Sequence, residues 1–290
     1  MPARITLLRI LWATLPITSG PAFGAQISGY SPAVKVVVSI WALSIWLLGM
    51  ASIALPRPIG LTGIRASSSI VLPLAIWTIF TNQPDLAPAI IAVVATAAAF
   101  ALASSSEIAS WCVEGSAYGD ESRFPLKTPP SLLVTLVPLS IAFAAAGTLA
   151  GPVLLAQRNW IAGVLALALG APLTYASVRS LHLLSKRFAV VVPAGFVISD
   201  PMTLSDPILF VREHIVVLEQ MPSGARVEGA LDLRLGAAST SLLLRLDDVA
   251  PLTTRKRSMA IQTPAQQVLF SPRDPQALIA RCAERRIRVA

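Results

Sequence analysis

Apolar residues run in long unbroken stretches through the first two thirds of the chain and then fall into short bursts. Residues 36–55 read VVVSIWALSIWLLGMASIAL without a charge, and 131–156 and 159–178 are uncharged throughout. Crossing roughly 30 Å of hydrocarbon takes about 20 such residues at about 1.5 Å each. These three stretches are therefore expected to span a membrane. Two shorter stretches, 66–81 and 86–103, are separated only by the polar turn NQPD and read as a helical hairpin.

The first apolar run follows Arg4 and Arg9 and reads ILWATLPITSGPAFGA. Two readings compete. A basic start, a short apolar run and small residues near Ala22–Ala25 are the parts of a signal peptide. The alternative is a spanning helix kinked by Pro16 and Pro21, which neighbouring helices tolerate by satisfying the freed backbone groups. Pro16 breaks the run and the cleavage pattern is weak, so the helix is preferred. The expected spans lie near 5–25, 35–55, 66–82, 86–104, 131–156 and 159–182.

Beyond Lys186 the bursts are shorter and regularly spaced. RFAVVVP, GFVIS, ILFV, HIVVLEQ, LDLRL, SLLLRL and QQVLFS read as seven strands, with alternation clearest in LDLRL. Pro193-Ala194-Gly195 and Pro222-Ser223-Gly224 are turn signals. Asp274 followed by Pro275 is a helix start, and Leu278, Ile279, Cys282 and Ala283 form one apolar stripe. The chain is thus expected to divide into a helical transmembrane domain, residues 1–183, and a soluble domain, residues 184–290.

Composition sharpens this division. The 290 residues are 54% hydrophobic and 13% charged, about half the charge of an ordinary soluble domain. Residues 1–183 hold nine basic and five acidic side chains, and residues 184–290 hold fourteen and ten. With six spans and a cytoplasmic N-terminus, Arg4, Arg9, Arg57, Arg65, Arg123, Lys127 and Arg179 fall on the cytoplasmic side, followed by Lys186 and Arg187. Lys35 and Arg158 fall outside. That bias predicts a multi-pass protein of the cell membrane with a cytoplasmic C-terminus.

The chemical inventory is sparse. Ionisable groups that mark coupled transporters are nearly missing from the spans, and Arg9, Lys35, Arg179 and His182 sit near helix ends. Cys112 and Cys282 have no CxxC partner, and no P-loop, GxSxG, HExxH or dinucleotide fingerprint is present. No catalytic residue, metal site or cofactor is expected. Two places invite closer attention. The loop from Ser104 to Pro130 carries Glu107, Glu114, Asp120 and Glu121 against Arg123 and Lys127, and Ile108, Trp111 and Cys112 have helical spacing. Asp120, Glu121 and Arg123 are its candidate functional residues, although mutual pairing of the charges is the simpler reading. Arg255, Lys256 and Arg257 lie between two expected strands and form a candidate contact for anionic lipid headgroups. A protein partner is the other expectation for the soluble domain. Nucleic acid is not expected, because the domain offers no aromatic stacking platform.

GSAYGDESRFPLKTPP at 115–130, VVVPAGFVISDPMTLSDPILF and the C-terminal FSPRDPQALIARCAERRI carry a resemblance. The last resembles the final strand and capping helix of bacterial pleckstrin-homology-like domains. The whole arrangement resembles a group of actinobacterial polytopic membrane proteins with such a domain at the C-terminus. The resemblance implies a bundle of about six spans followed by a small β-rich barrel with a terminal helix. A bacterial barrel of this type implies an interaction module, and the empty catalytic inventory together with the domain order leads to the expectation of an interaction or regulatory role without catalysis. A transporter or channel component for a small or lipid-like solute is the alternative.

Overall fold

The computed structural model describes residues 3–80, 86–237, 239–256 and 259–290. The expected NQPD turn, and Arg257, lie outside these residues. The chain forms two compact units. One comprises Met1–Cys112 and Val137–Leu181, and the other Val113–Leu136 and His182–Ala290.

The first unit is helical: α1 (Ala3–Gln26), α2 (Pro32–Ala54), α3 (Pro58–Ile79), α4 (Ala87–Ser104), most of the short α5 (Ser106–Glu114), α7 (Leu136–Ala156) and most of α8 (Trp160–Ser185). A short α6 (Pro130–Val134) precedes α7. Five stretches, Pro32–Ala54, Pro58–Ile79, Ala87–Ser104, Pro130–Ala156 and Trp160–Ser185, are long and apolar enough to cross a membrane. The α1 helix is not one of the five. It is nevertheless continuous through Pro16 and Pro21 and packs against α2, α3 and α4.

Proline chemistry explains how α1 joins α2. Pro16 has no N–H to give the carbonyl four residues back, that of Trp12. The Trp46 indole Nε1 donates to that carbonyl at 2.8 Å, and the Trp12 Nε1 returns a bond to the Trp46 carbonyl at 2.9 Å. Gly49 makes room, since a methyl there would strike the Trp12 ring. Buried hydroxyls in the bundle bond back to their own helices, as Thr62 does to Pro58, Thr78 to Ala75 and Thr96 to Ala92.

Two span boundaries differ from expectation. The third helix begins at Pro58, so Arg65 is inside it and its Nε donates to the Ala103 carbonyl at 3.3 Å. The stretch expected as one span over 131–156 breaks at Thr135 into α6 and α7. Pro138 cannot bond the Val134 carbonyl and its ring crowds that carbonyl, so the helix is interrupted there.

The second unit is sheet-rich. Its strands are β1 (Ser122–Pro125), β2 (Phe188–Val192), β3 (Gly195–Ser199), β4 (Ile208–Val211), β5 (Ile215–Met221), β6 (Leu231–Asp232), β7 (Ser241–Lys256) and β8 (Met259–Phe270). They form two four-stranded sheets, ordered β1-β2-β3-β4 and β5-β7-β8-β6. Seven of them, β2 to β8, fall where seven bursts were expected. The remaining strand, β1, comes from the loop between spans and pairs antiparallel with β2, Phe124 opposite Ala189. The LDLRL segment shrinks to two strand residues, because Arg234 turns back to bond Asp232 through Nε and Nη2 at 2.9 and 2.7 Å. The expected loop around Arg255 is instead the far end of a long β7–β8 hairpin. The terminal helix α9 (Pro275–Glu284) starts as expected, with Asp274 accepting the Ala277 N–H at 3.0 Å, and it buries Leu278 and Cys282 in the core.

A fully buried ion pair crosses this unit. Arg187 meets Asp200 in bidentate fashion, Nε to Oδ1 at 2.9 Å and Nη2 to Oδ2 at 2.8 Å. Its remaining donors reach the carbonyls of Lys127 at 3.1 Å and Leu233 at 3.0 Å. Removing one partner strands the other as a buried, uncompensated charge, which costs about 3–5 kcal/mol. Asp200→Ala is therefore expected to lower the thermal stability of the purified chain sharply. Replacing both partners by apolar residues, Arg187→Met with Asp200→Leu, is expected to recover much of the loss. Equal damage from the single and the double change would show that the pair matters only through its shape.

Candidate functional site

The loop that the sequence singled out becomes a structured support. After α5 ends at Glu114, the chain turns through Gly119, which has a φ of 60°, and enters β1. Glu114 Oε2 accepts the Arg123 N–H at 2.6 Å. Glu121 Oε1 accepts from Arg123 Nε at 2.9 Å and Nη2 at 2.7 Å, and from the Tyr118 N–H at 2.6 Å. Arg123 Nη1 donates to Ser116 Oγ at 2.8 Å, and its guanidinium lies 5.2 Å from the centre of the Phe188 ring. Helix α9 closes the other side. Arg285 Nη2 donates to the Asp120 carbonyl at 2.6 Å and Arg281 Nε to Ser122 Oγ at 2.9 Å.

Asp120, Glu121 and Arg123 are thus adjacent, but their bonds serve the turn and the strand. A Glu121 oxygen that already accepts three N–H donors is poorly placed to take a proton from a substrate. Glu107 is elsewhere, in the helical unit, where it pairs with Arg4 at 2.6 Å. The Tyr118 ring takes no part in these bonds. Tyr118 is 86% exposed, although its backbone is held.

The second candidate lies on the β7–β8 hairpin. Arg255 is exposed there, its N–H bonded to the Thr203 carbonyl at 2.8 Å and its Nη1 to the Pro201 carbonyl at 3.4 Å. Lys256 is the last residue of β7. Met259 and Ile261, 64% and 40% exposed, continue on the opposite strand. Three of the unit's aromatic rings are committed inside it: Phe196 and Phe270 pack at 5.4 Å in the core, and Phe210 is buried with them.

A third feature, which the sequence reading did not isolate, lies in the helical unit. A groove of about 660 Å³ runs between α2, the end of α7 and the start of α8. Pro32, Ala33, Val36, Val37, Pro152, Leu155, Ala156 and Trp160 line it, all apolar but for the Trp160 N–H. Its size falls within the range of small-molecule sites. The only sequence signal for it was Pro152 within a span.

Among the described residues, no group of three or more His, Cys, Asp or Glu side chains is arranged to hold a metal ion. Comparison with protein families, with curated proteins and with solved structures returns no match.

Two titration properties can be checked. Burial pushes both cysteine thiols up to about 12, with Arg65 opposing the shift at Cys112. Thiolate is the reactive form, so neither cysteine is expected to take up maleimide at pH 7 in the folded chain, and both are expected to do so in denaturant. Burial also pushes the Asp232 carboxyl up, but hydrogen bonds and charge from Arg234 outweigh it and hold the group below its usual 3.8. A depressed folded-state pKa stabilises above the unfolded value and loses that contribution as pH falls through the folded value. The stability gap between the natural chain and Asp232→Asn is therefore expected to be flat above about pH 5 and to close in more acid solution.

Proposed function

We propose that this chain is a multi-pass protein of the cell membrane with six spans, α1 included. Its sheet unit is a cytoplasmic, pleckstrin-homology-like interaction module that binds or regulates a protein partner without catalysis. The observation that carries this reading is the assembly of one sheet unit from two segments, 113–136 and 182–290. Strands β1 and β2 pair directly, so both segments lie on the same side of any membrane the helices cross. The chain between them, α7 and α8, then crosses twice. The strand sequence β2 to β8 followed by α9 supports the pleckstrin-homology-like reading, and with it kinship to the actinobacterial membrane proteins that the motifs resemble. The excess of Lys and Arg on the same side supports a cytoplasmic position.

The role assigned to the module rests on what its surface leaves over. Glu114, Glu121 and Arg123 of the 114–123 segment are engaged with one another, whereas the Tyr118 ring projects from a braced turn. A rigidly held, exposed aromatic suits the centre of a protein contact. Contact of Arg255, Lys256 and Arg257 with anionic headgroups is a second expected use of the module. The alternative, a transporter component for a lipid-like solute, draws on the apolar groove beside α2.

A reporter fused after Ala290 is expected to be active only as a cytoplasmic reporter, and a periplasmic reporter at Tyr30 only outside. A C-terminal reporter active outside the cytoplasm would overturn the orientation. A photo-crosslinking side chain at position 118 is expected to capture one defined protein in native membranes. Capture of lipid or nothing, combined with solute flux in reconstituted vesicles, would favour the transport reading. The full chain is required, because a fragment beginning at residue 186 lacks β1 and the Lys127 carbonyl.

A further inference from the structure

The first sheet has two ends, and both connections to the membrane-length helices leave from one of them. Pro125, Phe188 and Ser199 are level in β1, β2 and β3 at that end, and Ser122, Val191 and Phe196 at the other. Arg187 precedes Phe188 and comes two residues after the last residue of α8. Lys127, whose carbonyl takes an Arg187 donor at 3.1 Å, is three residues before α6. A helix of 26 residues is about 39 Å long, against about 40–45 Å for a bilayer with its headgroups. An α8 that crosses therefore ends among headgroups, and Arg187 is within about 7 Å of that end.

Two surface turns are tied to the same arginine. The first follows Leu233, whose carbonyl takes Arg187 Nη2 at 3.0 Å. Two residues on, Leu235 has a φ of 54° and Gly236 one of 85°. A leucine is strained in that region, where glycine or asparagine is at ease. Its side chain is 38% exposed, so packing inside the unit does not account for its presence. The turn is rigid, because Asp232 holds the Arg234 N–H and guanidinium and Ser241 takes its Nη1. The second turn is the tip of the β7–β8 hairpin. Asp200, the partner of Arg187, accepts the Thr203 N–H on its carbonyl at 3.1 Å, and the Thr203 carbonyl accepts the Arg255 N–H at 2.8 Å. Met259, 64% exposed, follows on β8.

The charges at this end are mostly of one sign. No ion pair to Lys127, Lys186 or Arg255 is found among the described residues. Asp200 and Asp232 are each taken by an arginine. Asp206, just ahead of the β4 residue Ile208 that pairs with Ile198, is an exposed acid against these three cations. Exposed apolar side chains set among cations, at the level where a crossing helix ends, match the chemistry of an anionic leaflet surface.

We infer that this end of the sheet unit is a membrane-docking face. Leu235 and Met259 enter the interface of the leaflet in which α8 ends, and Lys127, Lys186 and Arg255 take its anionic headgroups. The inference rests on the membrane reading given above and deepens the headgroup contact expected of the hairpin, but it does not depend on which leaflet is cytoplasmic. Tyr118, four residues before Ser122, belongs to the opposite end, so docking leaves it clear of the membrane.

The test is fluorescence quenching in the full chain, reconstituted without other proteins into vesicles of phosphatidylglycerol and phosphatidylcholine. The phosphatidylcholine is brominated near the headgroup end of its chains. Single fluorophores are placed at Leu235→Cys, Met259→Cys or Tyr118→Cys, since the native Cys112 and Cys282 are buried. Quenching is expected at 235 and 259 and not at 118. Quenching at all three positions, or none at 235, would overturn the inference. Quenching at 259 alone would leave only the hairpin contact and overturn the docking face. Lys127→Gln with Lys186→Gln is expected to shift the docked-to-free ratio at 235 about thirtyfold toward free. An unchanged ratio would overturn the assignment of these lysines. Leu235→Asn suits the left-handed backbone, so it is expected to keep or raise the melting temperature in detergent and to weaken quenching at 259. A lowered melting temperature with quenching intact would show that the leucine serves packing and would count against docking. A fluorophore at Leu169→Cys, in the middle of α8, separates the two levels. With lipid brominated at its chain ends, quenching at 169 but none at 235 sinks the docking face alone, and no quenching at 169 sinks the membrane reading.

Discussion

Arg187 is a cation with almost no access to water, and the rest of the sheet unit is arranged around that fact. A guanidinium in such a place needs its charge matched and its donors occupied. Asp200, just after β3, matches the charge, and the carbonyls of Leu233 and Lys127 take further donors. Lys127 is 60 residues earlier in the chain, on the far side of α7 and α8. The pair therefore makes the loop between spans a structural part of the C-terminal unit. The β1–β2 ladder and the Lys127 N–H to Ser271 carbonyl bond at 2.8 Å extend the same attachment.

This attachment constrains the helices. The α7–α8 hairpin leaves the sheet unit at residue 136 and returns at 182, so its two free ends are held by one body. Within the hairpin the helices approach through small residues. A methyl on Gly147 would strike the backbone at Gly170, and one on Gly151 or Gly163 would strike Leu167 or Leu155. The Gly147–Gly151 spacing, which can pair separate chains, is used here inside one chain. Helices α1 and α2 are joined by a different device, the exchanged indole bonds of Trp12 and Trp46 that Pro16 makes possible.

Much of this order was legible in the sequence, because long apolar runs and short regular bursts obey different periodicities. The five membrane-length helices, seven of the strands, the short α5 and the Asp274-capped α9 follow from patterns within about 25 residues. What escaped depends on distant partners. β1 is four residues long and sits among charges and prolines, so nothing local marks it as a strand. Arg187 reads in sequence as one more cytoplasmic cation at the start of a strand, and only the fold brings Asp200 to it. In LDLRL the alternation is real, but Arg234 spends it on a turn. For the candidate site, the charges of the 107–127 loop were visible and their opposition was anticipated. Their division between Arg4 in one unit and Arg123 in the other was not. The groove left almost no trace, since its lining is chemically the same as any lipid-facing helix.

The central claim is that residues 113–136 and 182–290 form one body across an intervening pair of membrane-length helices. Cysteines at Phe124 and Ala189, opposite each other in β1 and β2, test it most directly, with a protease site inserted between Gln157 and Asn159. After oxidation in native membranes and cleavage in detergent, the two halves are predicted to migrate together without reductant and to separate with it. Halves that separate without reductant, from protein that is otherwise folded, would contradict the account.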